Sequence, residues 1–280
     1  MPTLRELPRD AGFVEVADRV WVARHAWFDV NVSVVAGSRG LLVIDTHASD
    51  KAARTVLDAL RREVTGDVVA VVNTHEHFDH AYGNGVFRAA YPDAPLIAHE
   101  EAAAKLAAVA ADPPAPEPDD DPRVADVYAT DVVPPDTTFA SVRVVDLGDR
   151  AVELVHPGRG HTGGDVVVRV DDADVLFAGD LVEEGASPSF GDSFPLEWPA
   201  TIERLLPLAT GAVVPGHGAI GDRAFVADQL AAFRRLVELS HAIDDGSLDI
   251  EAAIAASPFG PETPPTAFER ALAQLRGELA

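Results

Sequence analysis

The chain of 280 residues contains no cysteine. That excludes a disulfide framework, a thiolate nucleophile and any metal site built on sulfur, and it leaves the redox compartment open. A bound metal would have to rest on His, Asp and Glu. Positive charge is also scarce, with 22 Lys and Arg against 46 Asp and Glu, a formal net charge of -24, and only two lysines, Lys51 and Lys105. So acidic a chain is repelled by nucleic acid phosphates and anionic lipid heads, so neither nucleic acid nor membrane is an expected partner and a small-molecule substrate is. No apolar run approaches the ~18 residues of a membrane span, and Met1 to Asp10 carries charges and prolines where a signal peptide needs an apolar stretch. The expected location is the cytoplasm; nothing in the sequence fixes the oligomeric state.

What is present is enough for a sizeable core: 47% of the residues are hydrophobic. Short apolar runs alternate with helical patterns, with no internal repeat. Val20 to Ala23, Val32 to Ala36 and Leu41 to Ile44 read as strands joined by turns at Asp29 and at Gly37 to Gly40. Ser49 or Asp50 caps an expected helix striped by Ala52, Val56, Leu60 and Val64. Further strands are expected at Val68 to Val72, Leu96 to Ala98, Val142 to Val145, Val152 to Val155, Val166 to Val170, Val175 to Ala178 and Ala212 to Val214. Helices are expected at Glu100 to Ala110 and Pro199 to Leu206. Between Asp112 and Pro122, five prolines and several acids break the pattern into a loop or insertion. The tail is helical, with Asp222 capping a stripe of Val226, Leu230, Phe233 and Val237, and Thr266 with Glu269 forming a capping-box pattern. The order suggests an α/β protein of two packed sheets flanked by helices, one domain over residues 1–280 with a helical extension at about 222–280.

Immediately after the strand Val68 to Val72 the chain reads Asn73-Thr74-His75-Glu76-His77-Phe78-Asp79-His80. Three imidazoles and two carboxylates rarely cluster where a chain leaves a core for packing reasons. The spacing is not that of the helical His-Glu-x-x-His motif, in which the second His lies four residues after the first; that position is Asp79. Residues two apart in extended chain share a face, so His75 and His77 can grip one metal together, while Asp79 and His80, after the turn, can reach a second. Three later signatures sit at strand ends among small residues: His161 in Gly-His-Thr-Gly-Gly-Asp, Asp180 in Phe-Ala-Gly-Asp, and His217 in Pro-Gly-His-Gly.

This pattern resembles the metallo-β-lactamase superfamily of metallohydrolases, whose mark is a His-x-His-x-Asp-His loop followed by a distant His, a bridging Asp and a final His. The resemblance covers roughly residues 13 to 221. It implies an αββα four-layer sandwich of two mixed β-sheets with the metals at one edge between the sheets. It further implies that His75, His77 and His161 hold one metal, Asp79, His80 and His217 a second, and that Asp180 bridges them. Two divalent ions, most expectedly zinc with iron or manganese also accepted, would share a water acidified towards pKa ~7 as the nucleophile. Asp79 would be the catalytic residue that orients it. The lack of cysteine excludes the β-lactamase classes with a Cys ligand, and an Asp in the bridging position looks more like the glyoxalase II and lactonase branch.

The expected activity is therefore that of a dinuclear metal-dependent hydrolase acting on a small ester, thioester, lactone or amide. Two alternatives stand beside it: a mononuclear iron oxidoreductase resembling persulfide dioxygenases, and a non-catalytic metal-binding module, which should have lost ligands. No Gly-x-Ser-x-Gly elbow supports a serine triad. Around the site, Trp27 and Phe28 at the first hairpin tip form either a flap or a fold-back onto the sheet, and the loop 183–198 is expected to border the pocket. Arg159 either receives a substrate carboxylate or pairs with an acid. His47 stands where relatives carry a small residue, and Asp45, Thr162 and Asp165 are candidates for orienting the ligand rings. His25, His99, His156 and His241 are read as structural or exposed.

Overall fold

The structure, a computed structural model, describes residues 7–279. Among the described residues the first sheet has seven strands in chain order: β1 (Val14–Ala17), β2 (Val20–Arg24), β3 (Asn31–Gly37), β4 (Gly40–Ile44), β5 (Val68–Val72), β6 (Leu96–His99) and β7 (Thr137–Phe139). Its first four strands are antiparallel hairpins, and from β4 onward the pairing is parallel. Parallel neighbours need crossovers, which are supplied by α1 (Asp50–Glu63) between β4 and β5, and by the turn α2 (Phe78–Ala81) with α3 (Asn84–Ala90) between β5 and β6. α4 (Glu100–Ala111), the proline-rich segment and α5 (Val124–Tyr128) lead on to β7.

The second sheet runs β8 (Val142–Asp146), β9 (Ala151–Val155), β10 (Val167–Val170), β11 (Val175–Gly179) and β12 (Ala212–Pro215), antiparallel except for the parallel pair β11–β12. That last crossover contains α6 (Trp198–Leu205). The tail follows as α7 (Arg223–Asp244), α8 (Ile250–Ala255) and α9 (Pro264–Leu275).

Strand alternation sorts the apolar side chains into three layers. Leu42 and Ile44 of β4 point between the sheets, where they meet Val152, Val168 and Phe177. Leu41 and Val43 point outward against Val56 and Leu60 of α1 and Phe87 of α3. On the far side, Val167, Leu176 and Val213 face Trp198, Ile202, Phe233 and Phe268. The architecture is thus the αββα sandwich of two mixed sheets, and the C-terminal helices bury their apolar residues in the same cluster as the outer face of the second sheet.

Several local expectations shift. Ser49 caps α1 by accepting from the Ala52 amide, but the buried stripe runs through Ala53, Val56, Leu57 and Leu60, one position from Ala52. In α7 the inward residue is Leu236 rather than Val237. Thr266 and Glu269 lie inside α9, whose N-cap is Thr263 with prolines following, so they form no capping box. Strands β1 and β7 and helix α5 carry no pattern strong enough to be read in advance.

Candidate metal centre

Strands β4, β5, β11 and β12 all end at one edge of the sandwich, and β10, antiparallel to β11, begins there. The loops after β4, β5, β11 and β12 and before β10 carry Asp45, residues 73–80, Asp180, His217 and His161 in turn. The carboxyl ends of parallel strands are where loops gather functional groups in α/β folds. Contacts across the edge join the sheets: the Val166 amide donates to the Thr74 carbonyl at 2.7 Å, and the Asn31 amide to the Gly216 carbonyl at 2.8 Å.

All seven residues expected as ligands come together here. His75 Nε2 lies 3.1 Å from His77 Nδ1, which lies 2.8 Å from His161 Nε2. His80 Nε2 lies 3.1 Å from His217 Nε2, and His217 Nε2 lies 3.2 Å from Asp79 Oδ2. His75, His77, His161 and Asp180 form one possible ion-holding group, and Asp79, His80 and His217 a second. Asp180 reaches both: its Oδ2 is 3.6 Å from His75 Nε2, 3.4 Å from His161 Nε2 and 3.2 Å from His217 Nε2, and its Oδ1 is 3.3 Å from His80 Nε2.

The hydrogen bonds behind the rings set which nitrogen faces inward. Thr74 Oγ1 has a single proton, and Asp45 Oδ2 at 2.8 Å can only accept it, so His75 Nδ1–H donates to Thr74 Oγ1 at 3.1 Å and the His75 Nε2 lone pair points to the centre. Asp45 Oδ2 also accepts from His80 Nδ1 at 2.9 Å. His217 Nδ1 donates to the Phe28 carbonyl at 2.7 Å, and His77 Nε2 to Asp192 Oδ1 at 3.1 Å, which leaves His77 Nδ1 inward. His161 Nδ1 is buried and unpartnered.

The donor set fits a divalent cation on two grounds. The lone pairs that Thr74 and Asp192 turn inward on His75 Nε2 and His77 Nδ1 face one another at 3.1 Å and repel unless a positive charge sits among them, and the buried Asp180 Oδ1 has no hydrogen-bond partner among the described residues. The spacing also matches: ligand atoms bound tetrahedrally at about 2.0 to 2.1 Å are about 3.3 Å apart. Protonation divides the rings differently: at His77 burial opposes charge but Asp192 outweighs it and raises the pKa, whereas its two imidazole partners are lowered. Burial and the neighbouring His80 keep the His75 ring far below its ordinary pKa, and burial together with His77 takes His161 down to about 4. Burial acts against charge on His80 and His217 too, but Asp180 and Asp79 outweigh it and raise both. Burial alone would raise the Asp79 carboxyl; His80 and His217 hold it at about 2.

The loop 73–80 is clamped from behind. Asn73 Nδ2 donates to the His80 carbonyl at 3.3 Å and to Asn84 Oδ1 at 3.0 Å, and Thr46 Oγ1 donates to the His80 carbonyl at 3.1 Å. Gly216 packs so closely on Asp180 that an added Cβ would lie 1.8 Å from Oδ1. Gly179, just before Asp180, adopts a positive φ of 53° against Thr74.

The surrounding residues divide as follows. Trp27 folds inward against His47, with ring centroids 5.7 Å apart, while Phe28 stays partly exposed. His47 lies outside both ion-holding groups; its Nδ1 accepts from the Ala48 amide at 2.9 Å, and burial lowers its pKa to about 3. Arg159 pairs with both oxygens of Glu197, at 3.0 and 2.6 Å, instead of facing the centre. Thr162 and Asp165 bond each other and shape the turn that carries His161 without touching its ring. His99 and His156 stack at 4.0 Å, and His241 is exposed.

Sequence reading missed four residues. Asp192 of the loop 183–198 fixes His77, and Lys105 Nζ ties it at 3.4 Å while gripping Glu76 at 2.5 Å. Glu183 is buried with one oxygen unpartnered; burial, and then Asp180, raises its pKa to about 8. Asn84 completes the clamp. None sits in a local pattern, although Glu76 lies inside the motif itself.

A family model described as the metallo-beta-lactamase superfamily matches residues 25–217. A metallo-beta-lactamase type 2 of Bacillus cereus is 28% identical over 202 residues, 70% of either chain. An acyl-coenzyme A thioesterase, MBLAC2 of Homo sapiens, is 28% identical over 230 residues, 73% of this chain and 75% of its own. Among solved structures, a metallo-beta-lactamase from Pontibacter korlensis superposes with a TM-score of 0.64 at 23% identity, covering 79% of this chain and 98% of that one, a likeness of fold.

Proposed function

The chain belongs to the metallo-beta-lactamase superfamily of metal-dependent hydrolases, and we propose that it is a dinuclear hydrolase of a small ester, thioester, lactone or amide. In this reading His75, His77 and His161 hold one divalent ion, Asp79, His80 and His217 the other, and Asp180 both. The observation that carries it is the position of the Asp180 carboxylate, within 3.2 to 3.6 Å of imidazole nitrogens from each group. When bound, two such ions, zinc foremost given imidazole and carboxylate donors, supply Lewis acidity and a water acidified towards pKa ~7.

The chain's own residues prepare that chemistry. Asp45, Thr74, Asp192 and the Phe28 carbonyl fix four rings so that their inward nitrogens converge without further reorganisation. Asp79 engages His217 through Oδ2 at 3.2 Å, and as a carboxylate it would accept a hydrogen bond from the attacking water and orient it. Its depressed pKa keeps it an acceptor at neutral pH. Protons drawn onto His80 and His217 by the carboxylates would leave when cations take their place, so loading releases protons. The full triad Asp79, His80 and His217 supports hydrolysis over a single-iron oxidation, which has no need of it.

Metal analysis of the protein purified without added metal tests the reading. About two ions per chain are expected, with turnover of at least one member of an ester, thioester, lactone and amide panel. A single iron with no hydrolysis would overturn it in favour of the oxidoreductase.

A further inference from the structure

A cavity of about 330 Å³ opens between the β2–β3 tip and the segment that ends α4 and runs to α5. Its walls include Phe28, Phe78, Tyr82, Val109, Val127 and Tyr128, and Pro113 and Pro114 of the proline-rich segment contribute to them. Two of these walls belong to the metal centre. Phe78 stands between His77 and Asp79 in the chain, and Phe28 offers its carbonyl to His217 Nδ1 at 2.7 Å. Their rings meet edge to face at 5.2 Å, so the cavity adjoins the Asp79, His80 and His217 side.

Among the described residues the lining carries one charged group, the carboxylate of Asp119. Cations on the bordering elements are already held: Arg24 by Asp29 at 2.7 Å, Arg123 by Asp121 at 2.7 Å, and Lys105 by Glu76 at 2.5 Å. Thr130, also in the lining, donates its hydroxyl to the Asp126 carbonyl at 2.8 Å and accepts from the Asp50 amide at 3.1 Å. Among the described residues no cation is free to meet an anion entering beside this carboxylate, which would be desolvated there, whereas an apolar chain gains from every methylene it buries.

We propose that this cavity is the acyl-recognition site, taking an uncharged apolar acyl group whose carbonyl is presented to the centre. The reaction assigned to that carbonyl rests on the hydrolase reading above, while the cavity's preference rests on its walls. Each methylene accommodated raises kcat/KM by up to about fourfold until the cavity is full.

The test compares octanoyl and acetyl esters and thioesters, the octanoyl analogue bearing a terminal carboxylate, and the binding of uncharged N-octylacetamide by calorimetry. In the native protein the octanoyl to acetyl ratio of kcat/KM is expected to exceed about tenfold, and the terminal carboxylate to abolish the gain. Val109→Trp should cut that ratio at least about tenfold and remove N-octylacetamide binding, while Tyr128→Ala should move the optimum to longer chains. A native ratio near unity, a ratio unmoved by Val109→Trp, or equal rates with the carboxylate analogue would overturn the acyl site even where esters are cleaved. If nothing is hydrolysed, the reaction is wrong, yet N-octylacetamide binding that Val109→Trp abolishes would still uphold the cavity. Absence of binding in the native protein would sink it.

Discussion

Asp45 Oδ2 lies 2.9 Å from His80 Nδ1, and the same oxygen takes the Thr74 hydroxyl that fixes His75, so one buried carboxylate orients a ring in each ion-holding group. Asp45 does so from a left-handed backbone with φ 62°. Asn tolerates that conformation, so Asp45→Asn isolates the loss of charge and of an acceptor. The variant is expected to fold and to bind zinc about 10- to 100-fold more weakly, measured by competition with a chromophoric chelator. Native affinity in the variant would remove Asp45 from any role at the centre.

Gly216→Ala addresses the shared carboxylate without altering any donor. Its new Cβ would fall 1.8 Å from Asp180 Oδ1, so either Asp180 or the strand end must move. The expected cost is about 1 to 3 kcal/mol, with metal content and turnover falling together in a protein whose circular dichroism is native. Full metal content would show that Asp180 can shift without consequence.

Glu183 gives a pH dependence with a definite sign. Its folded pKa of about 8 stands above the ordinary 4.5, because burial and the Asp180 charge oppose ionisation. Between those values the unfolded chain gives up a proton that the folded protein keeps. Stability of the metal-free protein therefore declines as pH rises through that window, and is indifferent to this group outside it. Glu183→Gln removes the dependence, so the thermal midpoints of chelated native and variant protein should diverge towards pH 8. Parallel profiles would assign the buried carboxyl an ordinary pKa.

The C-terminal helices provide a stability test. Phe233 of α7 is fully buried and stacks on Trp198 of α6 at 4.3 Å. Phe233→Ala should destabilise the protein by about 3 to 5 kcal/mol and lower the midpoint of a single unfolding transition, because one cluster joins these helices to the second sheet. A separate early transition would instead mark the tail as a unit of its own.

Much of this molecule is legible in its sequence because period and composition agree. The near-continuous apolar runs of β4, β5 and β11 read as strands buried on both faces, and the seven ligand candidates announce themselves by residue type beside glycines or after such a run. Short or half-exposed elements do not: β7 has three residues, and β1 no buried position. Groups that act on the centre from a distance in sequence are also silent. Asp192 reaches His77 across 115 positions, and Asn84 clamps Asn73 from the start of α3, where the flanking glycines say only that the chain bends. Such pairings follow from how loops converge, and no local pattern encodes convergence.

The seven donors are drawn from two separately built sheets, four from the loop after β5 and three from the loops beside β10, β11 and β12. The ions would thus rivet a seam, and the registry of the catalytic groups would depend on how the two halves slide over the layer between them. Phe177, whose side chain lies in that layer three residues before Asp180, would then bear on the alignment from outside both ion-holding groups. Evolution could retune this catalyst by repacking apolar side chains in the middle of the sandwich, leaving every polar residue at its rim untouched.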